Sequence, residues 1–163
     1  MNIRLCKMTK ALCRAYFQEF VQDPALYLDQ SKFQPYIYDE ATCDAYFDRY
    51  VQLGRVHFAI MLDSEPVGEV ILKNIDYEKQ TCVLGICMKN DSFKNKGYGT
   101  RAEILALEYA FQEMGMETVF ADAIITNQRS QHVLTKVGFI KTHQDKSFYY
   151  YQCDKSNWNP PEL

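Results

Sequence analysis

Apolar positions in this chain follow two periods, and each period marks a set of elements. Between Val56 and Leu62, the residues Val56, Phe58, Ile60 and Leu62 alternate with His57, Ala59 and Met61, the spacing of a strand. Asp63-Ser64-Glu65-Pro66 breaks that run. Strands are predicted again over Val67 to Asp76 and Thr81 to Met88, across the short link Tyr77-Glu78-Lys79-Gln80. Three runs joined this closely predict an antiparallel meander. Beyond it, Ile104, Leu107, Phe111 and Met114 fall three and four apart, the stripe of an amphipathic helix. Arg101, Glu103, Glu108 and Gln112 fill much of the remaining helix surface, and Gly115 stands at its stop. Thr118 to Ile125 is an apolar strand after this crossover helix, so a parallel partner is predicted for it.

The flanks complete the pattern. Ile3 to Leu5 predicts a first strand, and Thr9 caps a helix from Lys10 to about Val21 with Leu12, Cys13, Tyr16 and Phe20 inward. Asp23-Pro24 interrupts that helix, Pro24 to Leu28 makes a short turn, and Ser31 to Tyr38 is a loop. A second helix, Glu40 to Leu53, stops at Gly54 and turns Cys43, Tyr46, Phe47, Tyr50 and Val51 inward. Ser130 to Val137 predicts a short helix ended by Gly138. Phe139 to Gln144 and Phe148 to Asp154 form a closing hairpin, and the tail carries Trp158. The predicted fold class is α+β: a mixed, mostly antiparallel sheet of about seven strands with helices on both faces. Residues 1–163 are expected to form a single domain.

Composition narrows the function. The net charge is −3 and the basic residues are scattered, which argues against a nucleic-acid surface. No apolar run reaches the ~18 residues of a membrane span, and Met1-Asn2-Ile3-Arg4-Leu5 has no secretory apolar core, so a cytoplasmic protein is expected. The six cysteines form no C-x-x-C pair and read as reduced, largely buried thiols. The three histidines lack ligand spacing, and no metal is expected.

The stretch that carries chemistry begins at Lys94-Asn95-Lys96-Gly97-Tyr98-Gly99-Thr100 and runs straight into the helical stripe. A glycine-bearing turn at a helix N-terminus presents unpaired N–H groups and the positive end of the helix dipole, which suits a diphosphate. A Walker-type loop is excluded by the order of residues. A dinucleotide fingerprint is disfavoured because a meander, not a βαβ unit, precedes the turn.

With a second pattern, Asn127-Gln128-Arg129-Ser130 followed by Lys136-Val137-Gly138-Phe139, the chain resembles the GNAT superfamily of acetyl-CoA-dependent N-acetyltransferases. The first signature departs from the family's Gln/Arg-x-x-Gly-x-Gly/Ala in having Lys94, which keeps a donor and loses the planar fork. Within the superfamily the pattern is most like the branch that includes ribosomal-protein alanine acetyltransferases. The resemblance implies splayed central strands with pantetheine pairing near Ile86, Cys87 and Met88. It also implies pyrophosphate on the amides of Asn95 to Thr100, charge from Lys94 or Lys96, and contacts from Asn127 and Ser130. Acetyl-CoA and an amine acceptor are the implied partners, and homodimers occur among relatives, with Trp158 as a candidate exposed aromatic.

The catalytic groups are less well marked. Relatives commonly carry a Glu before the position of Gly85 and a Tyr seven residues after the Asn; here Leu84 and Leu134 stand there. Glu69, on the same strand face as Val67 and Ile71, is the candidate base, with a solvated sheet edge as the alternative. Asp122 reads as a structural acceptor or a base. Ser130 is the candidate proton donor to the leaving thiolate, or only a capping residue. A GNAT fold that binds CoA without turnover, and a nucleotide-phosphate enzyme using the same turn, are the two rival functions.

Overall fold

The computed structural model describes residues 2–163. Seven strands form one sheet: β1 (Ile3–Lys7), β2 (Val56–Leu62), β3 (Glu65–Asp76), β4 (Thr81–Met88), β5 (Thr118–Ile124), β6 (Ile140–Gln144) and β7 (Phe148–Asp154). Their spatial order is β1-β2-β3-β4-β5-β7-β6, and every pairing is antiparallel except that of β4 with β5. Both the meander and the parallel crossover pair thus form as the two periods predict.

Four helices cover the sheet: α1 (Lys10–Gln18), α2 (Glu40–Gln52), α3 (Tyr98–Glu108, continued by a π-helical turn Tyr109–Glu113) and α4 (Gln128–Val137). The period of two on β2 is buried on both sides. Ile60 joins Val70, Leu72, Leu84, Ile104, Leu107 and Phe111 in the main core, while Ala59 and Met61 pack with Cys13, Tyr16, Phe17 and Cys43 of α1 and α2. Both strand faces therefore exclude water, which is why the run from Val56 is apolar almost throughout.

Four expectations are corrected. Helix α1 ends at Gln18, short of Val21, although Phe20 still packs on its cluster. Val51 is 63% exposed, because α2 turns its Cys43 and Tyr46 side toward the sheet. Trp158 is not a free surface aromatic: its indole N–H donates to the Val137 carbonyl at 3.0 Å and its ring lies 5.4 Å from Phe111. Finally, Glu103 belongs to the buried side of α3, not to its solvent face.

The sheet has one discontinuity. Strand β3 holds β4 from Gly68↔Met88 to Asp76↔Thr81, but β5 meets β4 only at Thr81↔Thr118, Cys82↔Val119 and Val83↔Phe120. From Leu84 onward the second edge of β4 has no strand beside it, while β5 continues against β7 as far as Ile124↔Phe148. The central strands splay.

Candidate active site

Two clefts open at this divergence. The smaller, about 260 Å³, lies between the strands and is walled by Leu84 and Ile86 of β4 and Ala121 and Ala123 of β5. The larger, about 360 Å³, continues past Cys87 and Met88 to the turn before α3. Leu26, Ile86, Asn127 and Ser130 line both.

The turn has the conformation its sequence demands. Asn95 has φ +58° and Gly97, the residue before α3, has φ +80°, a left-handed backbone that glycine adopts without strain. No side chain caps α3. By contrast Thr9, Asp39 and Asn127 accept hydrogen bonds from the first-turn amides of α1, α2 and α4. The amides at the start of α3 are thus left for a ligand, in a cleft that includes Gly97, Gly99 and Thr100.

Most of the cofactor residues expected from sequence meet here. Ile86, Cys87 and Met88 form one wall; Lys94, Asn95, Gly97, Gly99 and Thr100 the turn; Asn127 and Ser130 the start of α4. Lys96 and Tyr98 do not line the cleft: Lys96 is exposed and Tyr98 packs against the main core. Lys94 is present but committed, its Nζ 2.7 Å from Asp23 Oδ2 and 2.9 Å from Asp91 Oδ1. Asn127 spends its carboxamide oxygen on the Ser130 amide at 3.2 Å.

Three cleft residues have no local sequence signature. Asp23 sits between Lys94 and Arg129, whose Nε donates to Asn95 at 3.1 Å. Leu26 overhangs both clefts. Glu103, on α3 below the turn, is 1% exposed. It lies at the border of the helix's apolar stripe, one turn before Leu107.

The catalytic candidates separate. Ser130 lines both clefts. Glu69 lines neither. Its 6% exposed side chain accepts from the Tyr46 hydroxyl at 2.9 Å, and its other oxygen is 2.7 Å from His57 Nε2. Neither oxygen faces a strand edge or solvent, so the solvated alternative is wrong; the carboxylate is held on the α1–α2 side of the sheet, opposite Cys87 in register. Asp122 is exposed on the wall of the smaller cleft. Burial pushes the Cys87 thiol up to about 11, so it stays protonated and weakly nucleophilic at neutral pH.

A mixed sheet split beside a short parallel pair, with an uncapped glycine turn at the split, defines a GNAT-type acetyltransferase fold. The sequence profile of the acetyltransferase (GNAT) domain matches residues 2–140, and the chain belongs to that family. YdaF, a candidate ribosomal N-acetyltransferase of Bacillus subtilis (strain 168), is 24% identical over 102 residues, 63% of this chain and 55% of that protein. YnaD, an uncharacterized N-acetyltransferase of the same strain, is 32% identical over 80 residues, 43% of this chain and 47% of that protein. The chain thus spans about half the length of the curated relatives it matches. Spermidine N-acetyltransferase from Vibrio cholerae, solved in complex with CoA and spermine, has a TM-score of 0.77 at 14% identity, over 94% of this chain and 96% of that one. A GNAT-family acetyltransferase from Bacillus anthracis gives 0.78 at 18% identity, over 96% and 97%. These two likenesses carry the fold.

Proposed function

We propose that the protein transfers an acetyl group from acetyl-CoA to a primary amine by direct attack in a ternary complex. The observation that carries this reading is the uncapped start of α3, opening on the cleft where β4 and β5 separate. The α3 amides would take the pyrophosphate, and the free edge of β4 beyond Leu84 would pair with the amides of the pantetheine arm. A backbone N–H on that edge would stabilise the oxyanion formed when the amine adds to the thioester carbonyl. As the C–S bond breaks, Ser130, which lines the cleft, would relay a proton to the thiolate and recover one from cleft water. Glu69 would take the acceptor-side proton through the Tyr46 hydroxyl and intervening water, since neither side chain lines the two clefts. The high thiol pKa of Cys87 supports direct transfer over an acyl-cysteine intermediate.

A peptide N-terminus and a small amine are both compatible acceptors, and the reading places the reaction in the cytoplasm. A second reading, a CoA-binding module without turnover, draws support from the prior commitment of both Glu69 oxygens. Release of free CoA thiol from acetyl-CoA is the deciding assay, run with polyamines, N-terminal peptides and small amines. Amine-dependent release supports the enzyme, and tight binding with no release on any amine supports the module. Stabilisation by ATP but not by acetyl-CoA would sink both.

A further inference from the structure

Glu103 is an anomaly that the chemistry above leaves unused. It lies on α3, in the groove that α3 and α4 form below the anion turn. Its side chain is 1% exposed, and Oε2 is buried without a hydrogen-bond partner. No cation offsets it. The charged or titratable groups of the same cleft are Asp23 and Lys94 beside the turn, Cys87 on β4, and Arg129, His132 and Lys136 along α4, and none makes an ion pair with it. On its own helix Arg101 and Glu108 project to other sides.

Resting on the acetyl-CoA reading, we propose that Glu103 is a further binding residue for that cofactor, acting as an uncharged carboxylic acid that donates a hydrogen bond to a cofactor oxygen. A carboxylate in this groove would repel a phosphate-bearing ligand, whereas the acid form brings a donor to an acceptor-rich one. Burial pushes the group up to about 8, so the acid form prevails at neutral pH, and the bound anion would raise it further. Binding above that pH must then take up a proton.

The test is acetyl-CoA affinity by calorimetry from pH 6.5 to 9.5. Acetyl-CoA has no free thiol, and its phosphates are fully ionised above ~7. Wild-type affinity should fall roughly tenfold between pH 7 and 9. At pH 8.5 the heat in two buffers of different ionisation enthalpy should report roughly three-quarters of a proton taken up per cofactor bound. Glu103→Gln keeps a donor that cannot ionise, and its affinity should lose this dependence. A flat wild-type profile overturns the proposal without any variant, and so does a Glu103→Gln slope equal to wild type. Binding that is present but flat leaves the acetyl-CoA reading standing; no binding at pH 7 overturns both.

Discussion

Replacing Glu103 by leucine should make the apo protein more stable, by an amount that grows with pH. Burial alone raises this group from 4.5 to about 8 in the folded chain. A raised folded pKa means that the acid's contribution is fully present below about pH 4.5 and is lost as pH rises through about 8. The loss runs at ~1.4 kcal/mol per pH unit until the folded group itself ionises, so the native state gives up about 3 kcal/mol by pH 7 and about 4 kcal/mol by pH 8. Leucine fits an apolar groove beside Leu107 and Val133 and removes that cost. At pH 7 the gain corresponds to a rise in Tm of about 6–12 °C for a chain of this size. Urea unfolding followed by Trp158 fluorescence, at pH 5, 7 and 8, measures it, because Trp158 packs on Phe111 in the main core. Subtracting variant from wild type cancels other titrating groups. A difference that does not grow between pH 5 and 8, or a variant less stable at pH 8, would refute the claim that the carboxyl is buried without a partner.

Gly97→Val places a β-branched residue at φ +80°, at a cost of about 1–2 kcal/mol in the turn. The fold should survive, but saturating acetyl-CoA should no longer give the ~2.7 kcal/mol of stabilisation expected at a hundredfold excess over Kd; normal stabilisation would remove the turn from the site. Tyr46→Phe takes one donor from the buried Glu69 carboxylate, costing about 1–3 kcal/mol of stability. If the proton passes through Tyr46, kcat should fall while the KM for acetyl-CoA holds, and unchanged kcat would leave Glu69 purely structural. Gly68→Ala sets a Cβ 2.9 Å from the Cys87 carbonyl oxygen and from Ile60 Cδ1, so it should destabilise by about 1–3 kcal/mol in chemical denaturation. No loss there would mean that the β3–β4 spacing is slack.

What the chain discloses locally and what it hides divide along physical lines. The meander, the crossover helix and the glycine turn were legible because each depends on neighbours a few residues away: period, punctuation and φ. That Ile86, Cys87 and Met88 wall a cleft was legible only through the resemblance. The ties of Asp23 to Lys94 and Arg129 were not legible, since they join residues 71 and more positions apart. Glu69 is buried, but not on the face of Val67: the bulge opposite Ile60 and Met61 turns Val67 into the main core, and Glu69's partners, Tyr46 on α2 and His57 on β2, depend on tertiary packing. Glu103 was misplaced for a different reason. A three-to-four stripe marks the centre of a buried face, and a residue at its border is buried only if a second element packs there, as α4 does.

The splay bears directly on the proposed pantetheine site. Beyond Val83 the outer edge of β4 has lost β5, yet it remains within a cleft bounded by α3, α4 and the loop after α1. Backbone groups left in such a place demand partners. Closing β5 on to them would satisfy the edge and abolish the cleft. Ties across the mouth oppose that closure. The loop after α1 is bound to the turn side by Asp23 with Lys94, to the far side by the Thr126 hydroxyl donating to the Ala25 carbonyl at 2.6 Å, and to the end of β4 by the Val21 amide on the Lys89 carbonyl at 2.9 Å. One loop thus spaces the two strand ends, and on the proposed reading an extended arm carrying its own N–H and C=O groups would complete the sheet without closing it.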